Sequence, residues 1–465
     1  MTGYAAETPS QSPADVSARR RMVFVLFLIC TMNFADRAVF SALAQTIKVD
    51  LKLSDLQLGL LQGLVFALLY AVVGLPIGLM AERHSRKRII AIATAIWSAA
   101  TAATGLAGGF AQLALARLAV GMGEAGFVPP TASMVADVVP RQKRASTMAL
   151  VMLGTPVGTF FGATLAGLAA AAWHWRTAFF VFAVPGFILA LALLLFVKEP
   201  VRGQIDQQPK TSDGAPPVGV FLKTVASNRP LLWVIAGGSL AGFGMSSISQ
   251  FLAIFLARTY HLGVRDAAAS FGTISGVAIA IGLLVGSFGT DYLARRDARW
   301  PAWGAAFGLA CAPPLYWMAF NAATLPVSFA ILLCAGAFLL MFYGPTTAMI
   351  QNLLPSRMRA SGVALYTLLY TLCGYGLGPV FVGAMSDFTA SRSYAGDYAT
   401  ACPHGLPPEG ATEALAAACR QASTSGLQFA LSSVVLIFFV SAFCFLRAAP
   451  GLRREAMKEA AQTSA

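Results

Sequence analysis

The sequence predicts an all-α membrane protein of twelve transmembrane helices in two pseudo-symmetric six-helix bundles, with both termini in the cytoplasm. Three observations carry this prediction. The 465 residues are 57% hydrophobic and only 11% charged, whereas soluble domains carry about 25% charged residues. Apolar segments of about 20 residues, long enough to cross a bilayer, recur between short polar breaks. A 17-residue motif also occurs twice in the chain, at residues 130–146 and 345–361.

The apolar segments predict helices, because hydrocarbon satisfies no backbone polar group and an α-helix satisfies its own. In chain order the twelve predicted spans are residues 22–47, 56–80, 88–108, 111–138, 145–171, 175–197, 230–257, 267–291, 300–320, 325–351, 359–387 and 426–447.

The distribution of Lys and Arg predicts the orientation. With the N-terminus inside, 24 of the 33 bases lie in cytoplasmic segments, seven in the opposite loops and two within the membrane. Cytoplasmic loops normally carry such an excess. Both termini are therefore expected to be cytoplasmic. The net charge of +13 then records topology and argues against a nucleic-acid partner.

The repeated motif predicts two related halves. Residues 130–146 read PTASMVADVVPRQKRAS and residues 345–361 read PTTAMIQNLLPSRMRAS, with seven of seventeen positions identical. Shared apolar composition would match Leu and Ala rather than Pro, Arg and Thr, so the match indicates an internal repeat. We expect an N-terminal bundle at 1–200, a cytoplasmic linker at 201–228 and a C-terminal bundle at 229–465. A short interfacial helix is predicted from Val218 to Ala226, with Val220, Phe221 and Val225 toward the bilayer.

The seven cysteines divide by position. Five lie in apolar spans, where they are expected to be small buried hydrophobes: Cys30, Cys311, Cys334, Cys373 and Cys444. Cys402 and Cys419 lie in the long loop before the last span, on the predicted non-cytoplasmic side. An oxidising compartment favours a disulfide there. A metal site is disfavoured, because only His404 is nearby and no C-x-x-C spacing is present.

Four ionisable residues lie deep in the predicted membrane: Asp36, Arg37, Arg117 and Glu124. Each costs about 2.5–3.5 kcal/mol to insert, which indicates a function. Arg117 and Glu124 are two helical turns apart and share one face, which Asp36 can meet from span one. We expect Asp36 and Glu124 to carry protons and Arg117 to alternate as their counter-ion, since a buried carboxylate beside a guanidinium can bind a proton near neutral pH. A static charge cluster and sodium coupling through the same acids are the alternatives.

Residues 78–88 read GLMAERHSRKR, which resembles the GxLaDrxGrk signature of the major facilitator superfamily, with Glu82 in place of Asp and Ser85 in place of Gly. That resemblance implies two six-helix halves around a substrate site at the midplane. Within the superfamily, NFADR at 33–37 and RLAVGMGEA at 117–125 look most like the Spinster family. This likeness implies proton-linked transport of sphingoid or lysophospholipid-type amphiphiles. Organic-anion symporters carry a similar motif in span one.

The resemblance also implies a cytoplasmic gate, in which the acid of the loop signature helps to hold the two halves together. Gly74 and Gly78 would let span two approach another helix closely. A solvated, positively charged loop is the simpler alternative. The expected gate residues are Gly78, Glu82, Arg83, Arg86 and Arg88, together with the candidate pairs Asp137 with Arg144 and Asp291 with Arg295.

Arg37 is the expected binding group for an anionic headgroup. It projects about 100° away from Asp36 on the helix, and a guanidinium matches a phosphate or carboxylate bidentately. Pairing of Arg37 with a neighbouring acid is the alternative. Further candidate substrate contacts are the amide and aromatic residues at midplane height: Asn33, Phe34, Tyr70, Phe127, Gln250, Phe342, Tyr343, Tyr366 and Tyr370.

These residues predict a proton-coupled secondary active transporter that moves an anionic amphiphile, such as a sphingoid or lysophospholipid-like lipid, by alternating access. An organic-anion or sugar-acid proton symporter, a drug or amphiphile efflux transporter and a non-cycling transporter-like receptor are the alternatives. No GxxxxGK[ST] loop supports ATP-driven transport, and no deep cluster of His, Asp and Ser supports an enzyme. We expect a monomer in the bacterial inner membrane, with no cofactor beyond the proton gradient.

Overall fold

The computed structural model describes residues 13–202, 218–355 and 358–463 of the chain. All regular secondary structure in these residues is helical, as predicted. Ten of the described helices are long and apolar enough to cross a membrane. The other two predicted spans, the fourth and the ninth, are helical as well. The all-α membrane fold expected from the sequence is therefore confirmed.

Several spans of the N-terminal half consist of two helices joined at a short break. In order, span one is Pro13–Leu51, span two is Asp55–Gln62 and Leu64–Arg83, span three is Arg86–Gly105, span four is Phe110–Glu124 and Val128–Val138, span five is Arg141–Met152 and Gly154–Ala172, and span six is Trp175–Phe196. Span one is longer than predicted at both ends, because helical propensity continues beyond the apolar stretch.

The C-terminal half follows the interfacial helix Val218–Ser227. Its spans are, in order, Arg229–Thr259 for span seven, Val264–Leu284 with a π-helical turn Val285–Gly289 and Thr290–Ala294 for span eight, Trp300–Phe320 for span nine, Leu325–Leu340 and Tyr343–Asn352 for span ten, Arg359–Leu369 with a π-helical segment Tyr370–Gly376 and Leu377–Ser393 for span eleven, and Glu413–Val434 and Ile437–Thr463 for span twelve.

The sequence repeat corresponds to repeated structure. Spans four and ten break at equivalent positions, just before Val128 and Tyr343. Beyond each break, an arginine at the same repeat position donates to a carbonyl five residues earlier: Arg144 Nε to Val139 O at 3.0 Å and Arg359 Nε to Leu354 O at 3.3 Å. Both guanidinium groups therefore serve the end of the preceding helix. The domain boundaries themselves remain predictions, since most of the linker, residues 203–217, lies outside the described residues.

The interfacial helix forms where it was expected, but its apolar face is oriented differently. Val225 is only 5% exposed and packs in the protein core. Phe221 also packs against that core, whereas Val220 and Leu222 are each 50% exposed. The prediction that Val225 and Phe221 face the bilayer is therefore wrong. The helix lies against the start of span seven, with Val220 and Leu222 exposed on different sides of it.

The predicted disulfide between Cys402 and Cys419 is present. It fastens the loop between spans eleven and twelve to the first turns of span twelve. Cys30 and Cys444 are buried as expected, but Cys334 and Cys373 are exposed on the outer surface of their spans. The term "disulfide end" is used below for the end of the molecule that carries this bond. The opposite end, which carries the loop at 82–88, is called the "Arg86 end".

Spans two and eleven touch backbone to backbone across the two halves at the disulfide end. A Cβ atom at Gly59 would overlap the carbonyl oxygen of Pro379, one at Gly63 would overlap that of Gly376, and one at Gly383 would overlap that of Asp55. The glycine pattern of span eleven therefore reflects close packing. In span five, Gly154, Gly158 and Gly162 pack on span one in the same way.

We expect Gly383→Ala to destabilise this seam. The added methyl group would meet the Asp55 carbonyl, and overpacking of this kind costs about 1–3 kcal/mol. The thermal unfolding midpoint in detergent should therefore fall. Gly74→Ala is the matched control, because a Cβ at Gly74 has no neighbour within 4 Å. Equal midpoints for the two variants would contradict the packing argument.

Candidate functional site

The deep charged residues come together between spans one, two and four, with a different pairing from the predicted one. Arg37 Nε donates to Glu124 Oε2 at 2.6 Å, with the Glu124 side chain fully buried and the Arg37 side chain 17% exposed. Glu124 ends the first helix of span four, directly before the break. The sequence made Arg117 the counter-ion of this acid. In this structure Glu124 pairs instead with Arg37, as the alternative raised for Arg37 has it, and the alternating role of Arg117 stays a prediction.

Arg37 also lies in a cage of aromatic rings. Its guanidinium carbon is 5.2 Å from the ring centroid of Phe34, 4.8 Å from that of Phe66, 5.3 Å from that of Tyr70 and 5.8 Å from that of Tyr375. Cation–π contacts of this kind stabilise a buried cation without neutralising it. Tyr375 belongs to span eleven, so the cage joins the two halves. The sequence analysis missed Phe66 and Tyr375, because one more aromatic residue in an apolar helix carries no distinctive signal.

Arg117 contacts the Phe66 ring as well. Its guanidinium carbon is 4.7 Å from the centroid of Phe40 and 5.0 Å from that of Phe66. Its Nε is 3.5 Å from the carbonyl oxygen of Leu61, which lies beside the helix break at Gly63. Within the described residues Arg117 forms no ion pair. A buried cation held by rings and a long carbonyl contact is free to accept a carboxylate.

Asp36 is 3% exposed and lies close to both of the charges that act on it most strongly, those of Glu124 and Arg117. Its Oδ2 accepts a hydrogen bond from Thr101 Oγ1 at 3.4 Å. Its Oδ1 has no hydrogen-bond partner within the described residues, and neither has Oε1 of Glu124. Buried polar atoms are normally paired, so both carboxyl groups have an oxygen on which a proton can reside.

The aromatic candidates divide into a row of tyrosines and a set of core residues. The ring centroid of Tyr343, which is 45% exposed, lies 6.2 Å from that of Tyr370. The ring centroid of Tyr366 lies 5.7 Å from that of Tyr370. Tyr343 begins the second helix of span ten, in the C-terminal half. Phe127 and Phe342 are fully buried at equivalent helix breaks, and Tyr366 is only 6% exposed. These three are core residues, and their assignment to substrate contact is corrected.

Gln250 joins the two halves on the disulfide side of the charged residues. Its side-chain oxygen accepts from Ser41 Oγ, and its Nε2 donates to the Gln62 carbonyl at 3.2 Å and to Tyr375 Oη at 3.2 Å. The Gln62 carbonyl lies, like that of Leu61, beside the break at Gly63. The Ser41 hydroxyl, the Gln62 carbonyl and the Tyr375 hydroxyl together hold the Gln250 side chain in place. In this conformation Gln250 therefore closes the site and does not line it.

A second cluster of buried charges closes the disulfide end. We call it the latch: Lys48, Asp55, Arg258, Ser386 and Asp387. Asp55 accepts from Lys48 Nζ at 2.6 Å and from two nitrogens of Arg258 at 2.6 and 2.8 Å, and the Ser386 hydroxyl adds a bond of 2.6 Å. Lys48 and Asp55 belong to the N-terminal half, whereas Arg258 and Ser386 belong to the C-terminal half. The latch therefore crosses between the halves.

Asp387 completes the latch from span eleven. Its carboxylate oxygens accept from the backbone N–H groups of Asp55 at 3.2 Å and Leu56 at 2.9 Å, and thus cap the first helix of span two. Anionic groups are favoured at helix N-termini. The sequence analysis singled out none of the latch residues, because partners 203 and 331 positions apart leave no local pattern.

At the Arg86 end the loop signature forms a hub within one half. Arg86 is 1% exposed and donates to Glu199 Oε1 at 3.0 Å, to the Pro200 carbonyl at 2.8 Å and to Asp137. It thereby ties the start of span three to the ends of spans four and six. Glu199, which the sequence analysis did not single out, also accepts from Ser85 Oγ at 2.7 Å. The expected role of Arg86 and Asp137 in holding the two halves together is therefore not seen here.

Four other predicted gate residues make no contact across the halves within the described residues. Glu82, Arg83, Arg88 and Arg295 are exposed, and none of their side chains forms a hydrogen bond or ion pair within the described residues. Arg144 donates to the carbonyls of Ala136 and Val139, and the side chain of Asp291 lies outside the described residues. Gly78 has only Pro129 within reach, at 3.9 Å. Span two is thus not closely packed at this end.

Glu199 gives the hub a pH dependence. Burial raises the pKa of this carboxyl, but hydrogen bonds from Ser85, from the Lys87 and Arg86 backbone and from the Arg86 guanidinium outweigh burial and hold the pKa below its usual range. A depressed folded-state pKa adds stability above the unfolded value of about 4.3, and this contribution is lost as the pH falls through the folded value.

We therefore expect Glu199→Gln to flatten the acid side of the stability profile. The difference in thermal midpoint between wild type and variant should be largest at neutral pH and shrink below about pH 4.3. Glu82→Gln is the matched control, since Glu82 is exposed and without a described partner. A difference that grows on acidification would refute the assignment.

The contacts between the halves define which end is open. Within the described residues, the side-chain hydrogen bonds that join the halves lie in the latch, around Gln250 and in the exposed pair of Lys52 with Glu409 at 3.0 Å. The side-chain hydrogen bonds of Arg86, by contrast, join residues that all precede the linker. Within the described residues, side-chain hydrogen bonds therefore join the halves at the disulfide end and at Gln250 but not at the Arg86 end, and the space between the halves on the Arg86 side of Gln250 is called the opening below.

Comparisons with known proteins bear on this arrangement. The family model of the Major Facilitator Superfamily matches residues 25–389. An MFS-type efflux pump of Mycolicibacterium smegmatis is 30% identical over 78% of this chain and 84% of that protein. A sphingosine-1-phosphate transporter of Danio rerio is 25% identical over 78% of this chain and 75% of that protein. A crystal structure of a bacterial homolog of the human lysosomal transporter Spinster, in an inward-facing and unoccupied conformation, superimposes with a TM-score of 0.83 at 28% identity over 96% of this chain and 99% of that one.

Proposed function

The chain belongs to the major facilitator superfamily, and from that premise we propose that it is a proton-coupled secondary active transporter of an anionic amphiphile, such as a sphingoid or lysophospholipid-like lipid. It is a multi-pass integral membrane protein, and its resemblance to Spinster proteins is confirmed. The proposal adds three points: an anionic amphiphile as the substrate, coupling to protons, and a location in a bacterial inner membrane with both termini in the cytoplasm.

The single observation that carries the proposal is the shared use of Arg37. Its guanidinium pairs with Glu124 in this structure, and the Arg37 side chain stays 17% exposed. A phosphate or carboxylate that enters from the Arg86 end competes for the same donors. Once displaced, the fully buried Glu124 carboxylate is left without its cation, which is costly. It then takes up a proton, so that the substrate anion and one proton bind together.

Asp36 and Arg117 provide the second step. Arg117 forms no ion pair within the described residues, and Asp36 has an unpaired carboxyl oxygen close by. A shift of span one relative to span four is enough to pair them. Whether Asp36 and Glu124 are protonated then decides whether Arg117 pairs with Asp36. Protonation is thereby coupled to the movement of the helices that carry these residues.

The surroundings of Arg37 favour an amphiphile over a sugar acid. Apart from the charged residues, the opening presents aromatic rings: Phe34, Tyr70, Tyr375 and Tyr343. A sugar acid would need several hydroxyl partners, whereas a headgroup with an apolar chain needs one cation and an apolar wall. The likeness to an efflux pump supports amphiphile export as the second candidate.

The test is transport by purified protein in liposomes that contain a pH-sensitive dye. Lysophospholipids and sphingoid phosphates should drive a substrate-dependent proton flux, and Asp36→Asn should abolish it. Hexuronates and other sugar acids should give none. Uptake that follows a sodium gradient and ignores pH would overturn proton coupling. Binding without counterflow exchange would indicate a receptor instead of a transporter.

A further inference from the structure

A basic cleft lies at the Arg86 end, away from the transport site. It measures about 860 Å³ and is formed by the interfacial helix Val218–Ser227, the start of span seven and the extension of span twelve. A Cβ at Gly451 would overlap the Pro230 ring, so the extension of span twelve crosses directly over the start of span seven. This crossing forms the floor of the cleft.

Three cations and one acid are among the residues that line this cleft. Lys223, Arg229 and Arg454 form part of its wall, all three are exposed, and within the described residues their side chains form no hydrogen bond or ion pair. Glu455 is the acid among the described lining residues. Three bases around one concave space repel each other, and an anion placed between them relieves this repulsion.

The apolar groups beside the cleft indicate what kind of anion fits. Val220 of the interfacial helix lines the cleft and is half exposed, on a helix that joins two membrane-spanning bundles. A free anion has no use for this side chain, whereas an acyl chain of a lipid can lie along it while the headgroup enters the cleft. Basic pockets of this kind on the cytoplasmic side of membrane proteins fit anionic headgroups.

We propose that this cleft binds the headgroup of an anionic phospholipid of the surrounding leaflet. The phosphate lies between Lys223, Arg229 and Arg454, and an acyl chain follows Val220. The bound lipid holds the interfacial helix against span seven and span twelve, and thereby supports the segment that links the two halves. This lipid is structural and is distinct from the transported substrate.

The test compares two triple variants with the same loss of charge. Lys223→Gln, Arg229→Gln and Arg454→Gln remove the cleft bases. Arg83→Gln, Arg88→Gln and Arg453→Gln remove three bases at the same end that do not line the cleft. Of these, Arg453 acts electrostatically on Asp297. Each protein is titrated with phosphatidylglycerol and with phosphatidylcholine in detergent, and binding is followed by native mass spectrometry and by the thermal midpoint.

Phosphatidylglycerol should bind the wild type and raise its midpoint, whereas phosphatidylcholine should not. Each base near a membrane surface contributes about fivefold to the affinity for an anionic lipid, so the cleft variant should lose on the order of a hundredfold. The control variant should keep most of the affinity. Equal losses in both variants would refute the site, and a midpoint rise of the same size with inorganic phosphate would refute the lipid. An unchanged midpoint in phosphatidylcholine confirms that the cleft variant is folded.

Discussion

Glu124→Gln is expected to uncouple transport from the proton gradient while exchange of substrate continues. The amide keeps the shape of the side chain but cannot take up or release a proton, so the substrate anion no longer brings one with it. Without the carboxylate, Arg37 is permanently available to the substrate. Reconstituted protein should show counterflow exchange, but neither uphill accumulation nor substrate-dependent proton flux.

The same substitution should tighten substrate binding and remove its pH dependence. In the wild type the substrate must displace Glu124 from Arg37, and a hydrogen bond to a charged group is worth about 1.5–3 kcal/mol. Removing this competition should lower the dissociation constant by roughly ten- to a hundredfold. The wild-type constant should rise with pH, because deprotonated Glu124 competes best, whereas that of the variant should stay flat. The measurement is a binding titration at several pH values.

Glu82→Gln is the control for this prediction, since it makes the same chemical change at an exposed acid without a described partner. It should keep both the proton flux and the pH dependence of binding. A Glu124→Gln protein that still moves protons with its substrate would assign the proton to Asp36 alone. Loss of exchange together with coupling would mean that Glu124 contacts the substrate directly.

The sequence predicted most of the membrane fold because the bilayer acts as a solvent with a simple requirement. Segments of about 20 apolar residues are sufficient to place helices, and a repeat of Pro, Thr and Arg was sufficient to relate spans four and ten. The four deep charges were found for the same reason, since each stands out in an apolar segment. The disulfide followed from the position of Cys402 and Cys419 in the one long loop on their side.

Partner choice could not be predicted in the same way. Arg37 and Arg117 both contact the Phe66 ring, but only Arg37 pairs with Glu124. The close approach of spans two and eleven at Gly63, where the Gly376 carbonyl leaves no room for a side chain, likewise joins residues that are far apart in the sequence. Arg86 met the same limit, because its partner Glu199 is 113 residues away. Long-range geometry selects between partners that a local motif leaves equivalent.

Asp55→Asn is expected to open the disulfide end. Asp55 is the one anion that Lys48 and two nitrogens of Arg258 share at the centre of the latch, and all three side chains are at most 7% exposed. Loss of one partner of a buried ion pair costs about 3–5 kcal/mol, because the remaining charges stay desolvated. This cost arises only in the conformation with a closed latch. The equilibrium should therefore shift by roughly a hundred- to several thousandfold toward a conformation that lets Lys48 and Arg258 reach water.

Spin labels can measure this shift on both sides of the molecule. Lys52 and Glu409 are exposed and face each other across the halves at the disulfide end, whereas Arg83 and Arg295 are exposed at the other end. In Asp55→Asn the first distance should lengthen and the second should shorten. Asp50→Asn is the matched control, because Asp50 pairs with Arg176 inside one half and its loss should move neither distance.

A second substitution separates an open latch from a damaged protein. Asp55→Asn combined with Arg258→Gln removes a buried cation together with the anion, so that the closed conformation no longer contains two uncompensated charges. Closure should be partly restored, and the Lys52 to Glu409 distance should move back toward the wild-type value. If the double variant stays open to the same extent, the latch does not act through charge balance. If neither variant opens, the glycine seam between spans two and eleven holds the disulfide end closed on its own.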